Sequence, residues 1–298
     1  MDALIQHNVH NGLGDYTHSI YRYFYLTEEL KKIGYNKITL YINMKRTLMF
    51  NKDYFFTLFD RNIFEETFDE IIISDEDISS NVYNNLKYYY VHGYRETGMN
   101  QFDLFIDLND EKFNAFKNNI NNLFPPTTLV KYRNLFSDFI MEKYKERNIY
   151  RNDNYVAIQF RARDSQDNDE LYINHEEQFK NIIFGYKKVF VCSNSFKFKQ
   201  YIKSFNSDKV FMFDFPFEEK YGNHLGSLPF NNEFGYKEYE SRTLDAAIDM
   251  LTLSQSKEIF SFNYFGQVDS NFLKLAIAKN VKINIVPVIG GMMWTPDN

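Results

Sequence analysis

The amino-acid sequence predicts an α/β protein of two Rossmann-like domains facing a cleft, residues 1–150 and 151–298. Three observations lead there. Short apolar runs alternate with longer helical patterns along the chain, and strands alternating with helices imply parallel sheets with right-handed crossovers. The first apolar run leads into a glycine turn and then a helix. Near the middle, Pro125-Pro126 and the polar stretch Asn148-Ile149-Tyr150-Arg151-Asn152-Asp153 interrupt the alternation and read as a break and a linker. A chain of 298 residues has room for two cores.

In the first half, a strand is expected over Ala3 to Val9, followed by the turn Asn11-Gly12-Leu13-Gly14-Asp15. A helix follows from about Asp15 to Ile33, with Asp15 suited to its positive N-terminus and Gly34 as its stop. Lys37 to Ile42, Ile71 to Ser74, Tyr88 to Val91 and Phe102 to Ile106 are strand candidates, and Leu129 to Arg147 reads as a helix. In the second half, strands are expected at Tyr155 to Phe160, Lys188 to Cys192, Val210 to Phe213, Glu258 to Phe260 and Lys282 to Val286. Helices fit between them at His175 to Ile183, Phe196 to Phe205, Arg242 to Gln255 and Gln267 to Ala278. The stretch Asp214 to Tyr239 is aromatic and holds three glycines, and a loop of that length in a compact domain is usually functional or mobile.

Composition narrows the function classes. Net charge is −6, and no basic run is present, which argues against nucleic acid as a partner. The 18% aromatic content is spread through a chain also rich in Asn, Ile and Lys. That mixture points to an AT-rich genome, not to a base-stacking surface. The single cysteine, Cys192, excludes an internal disulfide and, set in an apolar run, reads as a buried inert thiol. The N-terminus lacks the basic and long apolar regions of a signal peptide, and no stretch is apolar for the length of a membrane span. A soluble, cytoplasmic protein is the expectation.

The densest candidate site is Gln159-Phe160-Arg161-Ala162-Arg163-Asp164, at the end of the apolar run Tyr155-Val156-Ala157-Ile158. Ligands of open α/β sheets bind at the carboxyl ends of strands. Arginine there suits a diphosphate, because its planar fork donates two parallel hydrogen bonds; the plain alternative is a surface salt bridge. The loop beyond is rich in carboxylates, Asp167, Asp169 and Glu170, any of which is either a general base or a solvated side chain. Asp167-Asn168-Asp169 formally has metal-ligand spacing, but no His or Cys joins it and no metal is expected. Gly12-Leu13-Gly14 before a helix reads either as an anion turn or as a plain tight turn, with His10 and His18 flanking it. Ser261-Phe262-Asn263-Tyr264-Phe265-Gly266-Gln267 reads as a polar loop opening a helix, either a second anion cradle or ordinary capping.

Taken in order, these segments resemble the GDP-fucose-dependent fucosyltransferases of the α1,6 type, including the eukaryotic core-fucosylating enzymes and the bacterial nodulation ones; the α1,2 enzymes share part of the pattern. The family's His-X-Arg-X-X-Asp at a strand end is matched by Gln159 to Asp164, with Gln159 in place of the His. A strand ending in a small polar pair is matched by Ser193-Asn194, and an Asp ahead of Leu-Ser-Gln by Asp249 and Leu253-Ser254-Gln255. The family's Ser-Gln at a helix start is matched by Gly266-Gln267, with Gly266 in place of the Ser. The resemblance runs from about Tyr155 to Ala278; before that it rests on the turn Gly12-Leu13-Gly14.

The resemblance implies a GT-B fold and metal-independent, inverting transfer of fucose or a related sugar from a GDP-sugar to a glycan hydroxyl. It implies that Arg161 binds the β-phosphate, Asp249 the guanine, and Gln267 with Tyr264 to Gly266 a phosphate. The acid five positions past the motif's Asp is Asp169, with Glu170 beside it, as the base. The donor side would further include Gly12, Leu13, Gly14, Gln159, Asp164, Ser193, Asn194 and Asn263. The stem, membrane anchor and extra C-terminal domain of the eukaryotic enzymes have no counterpart in the 298 residues, which suggests a bacterial, phage or large-virus catalytic core. Two rival functions stay open: a transferase of another nucleotide sugar, of the heptosyltransferase type, and a non-catalytic glycan- or nucleotide-binding protein.

Overall fold

A computed structural model describes residues 2–8, 13–44, 52–76, 88–94, 101–107, 135–147, 154–161, 171–205, 207–213, 236–263, 271–273, 275–276 and 281–288. The chain divides into two compact units, Met1–Met141 with Phe230–Leu244, and Glu142–Pro229 with Asp245–Asn298. Each unit holds one five-stranded sheet.

The first sheet has the order β3-β2-β1-β4-β5. Its strands are β1 (Asp2–Asn8), β2 (Lys37–Asn43), β3 (Glu70–Ser74), β4 (Tyr88–Tyr94) and β5 (Gln101–Asp107). The first four are parallel, as the alternation of strands and helices predicts. The edge strand β5 departs from that expectation and runs antiparallel to β4. A parallel partner needs a crossover of a dozen or more residues, and only six separate β4 from β5.

Helix α1 (Leu13–Lys32) covers this sheet. Leu13, Tyr16, Ile20, Tyr23, Phe24 and Leu30 are buried at helical spacing and form its apolar stripe. Gly34 ends it with φ 97°, in the left-handed region where a glycine has no steric penalty. The Tyr35 amide returns to the Leu30 carbonyl at 3.0 Å and the Gly34 amide to Lys31 at 3.2 Å, which is the Schellman pattern. Two short helices unmarked by the sequence pattern, α2 (Phe55–Leu58) and α3 (Arg61–Thr67), bury Phe55 against Phe64, and Phe64 against Phe24. The expected helix from Leu129 is α4 (Asp138–Arg147), which starts later. Phe136 instead bridges Phe59, and the Ser137 hydroxyl accepts the Ile140 amide at 3.3 Å, a side-chain cap that fixes the start.

The second sheet is wholly parallel, in the order β10-β9-β6-β7-β8. Its strands are β6 (Val156–Phe160), β7 (Val189–Ser193), β8 (Val210–Phe211), β9 (Glu258–Asn263) and β10 (Lys282–Pro287). β6 and β7 are buried at every position, as continuous apolar runs in a doubly covered sheet should be. On one face, Val156, Ile158 and Phe160 meet Phe179, Ile182 and Ile183 of α5 (Glu176–Gly185) and Phe198 and Ile202 of α6 (Phe196–Lys203). On the other, Tyr155, Ala157, Phe190 and Cys192 meet Leu253 of α7 (Tyr236–Leu253), together with Leu273 and Ala276. Buried aromatic and aliphatic side chains of this kind contribute roughly 1.5–3 kcal/mol each.

Two boundaries differ from expectation in ways that matter for function. α7 begins at Tyr236, inside the stretch read as loop. β9 continues through Ser261 to Asn263, so those two polar residues lie on a strand, not in a loop opening a helix. The expected helix over Gln267 to Ala278 falls mostly outside the described residues, as do the remainder of the 214–239 stretch and the acidic loop after Arg161.

Candidate functional site

The chain leaves β6 through α5 towards β7 and β8, then returns on the other side of β6 through α7 to β9 and β10. The direction of winding reverses between β6 and β9. In open α/β sheets that reversal opens a crevice at the carboxyl ends of the two strands, where ligands bind. Gln159 and Arg161 end β6, Ser261 and Asn263 end β9, and Ser193 and Asn194 end β7.

Register brings these residues side by side. Gln159 is opposite Cys192 on β7 and Ser261 on β9, and all three lie on the face that α7 covers. The Ser261 hydroxyl donates to Gln159 Oε1 at 2.8 Å, and Asn263 Nδ2 donates to the Ser261 oxygen at 3.4 Å. The Cys192 thiol donates to Asp249 Oδ2 at 3.6 Å. Gln159, Asp249 and Ser261 are all at least nine-tenths buried. A band of hydrogen-bonding groups therefore crosses three strands and reaches α7 at the end of an otherwise apolar face. Buried polar groups need such partners, because an unmet donor or acceptor keeps its desolvation cost.

Two residues past Gln159, Arg161 emerges from the strand and is exposed. Its guanidinium makes no ion pair with any carboxylate among the described residues, so no partner here supports the salt-bridge alternative. Beside it, the turn from β7 into α6 is built from serine side chains. Ser193 Oγ accepts the Ser195 amide at 3.0 Å, and Ser195 Oγ caps α6 by accepting the Phe198 amide at 3.2 Å. That turn sets a helix N-terminus, with its inward backbone N–H groups, at the carboxyl end of β7. Asn194, within the turn, is half-buried.

Leu13 and Gly14 open α1 in the first unit and are buried, two residues earlier than the sequence suggests. Thr17 donates to the Gly14 carbonyl at 3.0 Å. Gly12, Asp164, Asp169, Glu170, Tyr264, Gly266 and Gln267 lie outside the described residues, and so does His10. Among the described residues, no three His, Cys, Asp or Glu side chains are grouped to hold a metal ion, and no helix is long and apolar enough to cross a membrane.

Ser261, expected in a loop at a helix start, lies on β9 instead. Two further residues carry no motif in the sequence. Lys199 is fully buried on α6, where its ammonium donates to the Phe213 carbonyl just past β8 at 2.9 Å. Its three-residue spacing from buried Ile202 was the available signal. His7, at the carboxyl end of β1, is 1% exposed, with its Nδ1 2.5 Å from the Tyr23 hydroxyl and its ring edge-on to Tyr16 at 4.2 Å. It also lies where the winding of its own sheet reverses, between β1 and β4.

By fold, the chain stands among the α/β proteins whose open sheets reverse their winding partway across. No family model matches it, and no curated protein does. Solved structures do: it resembles the fucosyltransferase NodZ from Bradyrhizobium, with a TM-score of 0.56 at 13% identity over 97% of this chain and 96% of that one. The NodZ α1,6-fucosyltransferase soaked with GDP-fucose aligns with a TM-score of 0.55 at 13% identity, over 96% of this chain and 94% of that one. The likeness is one of fold, and it spans both sheets.

Proposed function

We propose that the chain is a glycosyltransferase of GT-B architecture that moves fucose, or a related sugar, from a GDP-sugar to a glycan hydroxyl. The observation that carries this reading is the meeting of Gln159, Arg161, Ser193, Asn194, Asp249 and Asn263 around one strand-end crevice, in a fold shared with NodZ. These residues are scattered over about a hundred positions of sequence, and they are among those that the resemblance to fucosyltransferases points to.

In this reading, Asp249 accepts hydrogen bonds from the guanine, and Arg161 with the α6 N-terminus holds the diphosphate. Gln267 and the backbone of Tyr264 to Gly266 complete the phosphate site. Asp169, or Glu170 beside it, takes the proton of the acceptor hydroxyl as its oxygen attacks the anomeric carbon. The bond from that carbon to the β-phosphate oxygen breaks, and GDP departs with the electron pair. Attack from the face opposite the leaving group inverts the anomeric centre. Arg161 meets the charge that grows on GDP, which is the part a divalent ion plays in other transferases. The first unit shapes the acceptor side.

The test is a binding screen by calorimetry and thermal shift over GDP, UDP, ADP and CDP, with GDP-fucose and GDP-mannose beside them. It needs no acceptor, since any ligand that binds only the folded state raises apparent stability. Selective GDP binding, tighter with fucose attached and unchanged by chelator, is expected. Selective binding of UDP or ADP would replace the donor and favour the heptosyltransferase type. GDP-fucose that binds but is never consumed would favour the non-catalytic reading.

A further inference from the structure

The polar chain at the reversal has a direction. Asn263 Nδ2 donates to the Ser261 oxygen, and the Ser261 hydroxyl donates to Gln159 Oε1. A serine hydroxyl has one proton to give. With its oxygen receiving from Asn263, that proton goes to Gln159, and the links run one way, from the end of β9 to β6. A carboxamide is planar, with oxygen and nitrogen on opposite corners. Holding Oε1 against β9 therefore turns Nε2 away from β9. Gln159 is 5% exposed, and no acceptor among the described residues meets that nitrogen. An NH2 group held in this way, on a side chain otherwise buried, is oriented to donate to an incoming acceptor atom.

We propose that Ser261 is a positioning residue that locks the Gln159 amide as a one-way, uncharged hydrogen-bond donor to an acceptor atom of the bound nucleotide. The inference rests on the nucleotide-sugar reading and adds a residue to it. Ser261 touches no ligand itself. Without its hydroxyl the amide is free to turn over, presenting oxygen in place of nitrogen and repelling the acceptor. Asn263, two residues further along β9, holds the serine in turn.

GDP titration by calorimetry on the whole protein and four variants tests this. Ser261→Ala should weaken GDP about five- to tenfold, the size of one neutral hydrogen bond. Ser261→Thr, which keeps the hydroxyl, should restore wild-type affinity. Gln159→Met, of similar length and without charge, should lose a similar factor to the alanine variant. Gln159→Glu, which still accepts from Ser261 but replaces the donor with a carboxylate, should lose on the order of 100-fold. In transfer assays the Ser261→Ala loss should fall on donor KM with kcat little changed. A merely structural serine would instead lower the melting temperature and leave the affinity of the folded fraction alone. Equal GDP affinity in wild type, Ser261→Ala and Gln159→Met overturns this inference and leaves the function standing. A wild-type protein that binds no nucleotide overturns both.

Discussion

Asp249 shows how much a single side chain carries here. It is 7% exposed on α7, with Oδ2 receiving the Cys192 thiol at 3.6 Å. A carboxylate in that position accepts hydrogen bonds and donates none. It is complementary to the adjacent N–H groups of guanine and mismatched to the acceptor on the corresponding edge of adenine. Asp249→Asn keeps the shape, removes the charge and turns one acceptor into a donor. The expected result is a tenfold or greater loss of GDP affinity with little change for ADP, on the order of what hydrogen bonds to a charged group supply. Calorimetry with both nucleotides reads it, and undiminished GDP affinity would remove Asp249 from the base site. At this scale the sequence was legible wherever chemistry contradicted its surroundings. Arg161 was conspicuous because a cation followed an apolar run. The Cys192–Asp249 and Gln159–Ser261 contacts were hidden, because their partners are 57 and 102 positions apart and nothing local encodes the pairing.

Strands and helices carry the contacts that set these residues in place, and β9 is the instructive one. At its amino end, Glu258 accepts from Asn284 Nδ2 at 2.6 Å and from the Tyr186 hydroxyl at 3.2 Å, and pairs with Lys282 at 2.5 Å. The Lys282 hydrogen bond, seconded by Asn284, holds the Glu258 carboxyl below its ordinary value of 4.5. A depressed carboxylate pKa means that the unfolded chain binds more protons in that range, so stability rises with pH across it. The contribution is present above 4.5 and is lost as the pH falls through the lowered value. Glu258→Gln should therefore lower the urea midpoint at pH 7, with the gap from wild type closing as the pH falls through the lowered value. A gap that persists in acid would assign the effect to packing. The same strand explains a misreading of the sequence. Its continuous apolar run stops at Phe260, because Ser261 and Asn263 are polar on the face that α7 covers. Ser261 is tolerated there by its hydrogen bond to Gln159 of β6, with Asn263 donating to Ser261 in turn, and polarity of this kind hides a strand end from any periodicity argument. The short helices α2 and α3 were hidden for a different reason. At four and seven residues they are too short to show a helical period.

The layout of the whole chain was the most legible property, since two alternating sets of strands and helices leave few topologies open. What alternation does not say is where each sheet reverses, because that depends on which side of β6 the strand β9 joins. The order β10-β9-β6-β7-β8 answers this for the second sheet, and it localises the expected ligand effect. A nucleotide in that crevice covers the ends of β6, β7 and β9 and the first turn of α6, while β2 and β3 belong to the other unit. Ligand at 100 times its Kd adds about 2.7 kcal/mol to the stability of the state that binds it. Backbone hydrogen exchange with saturating GDP should accordingly slow most at residues 159–161, 193–198 and 261–263, and leave 38–43 and 70–74 at their unliganded rates. The turn after β1 decides a further question within the same experiment. Slowing at the amides of Leu13 and Gly14 would include the glycine turn in the donor site. Unchanged rates there would make it an ordinary start for α1 and confine the donor to the second unit. Slowing centred on β1 to β3 instead would move the nucleotide to the first sheet, and the assignment of Arg161 and Asp249 would fall with it.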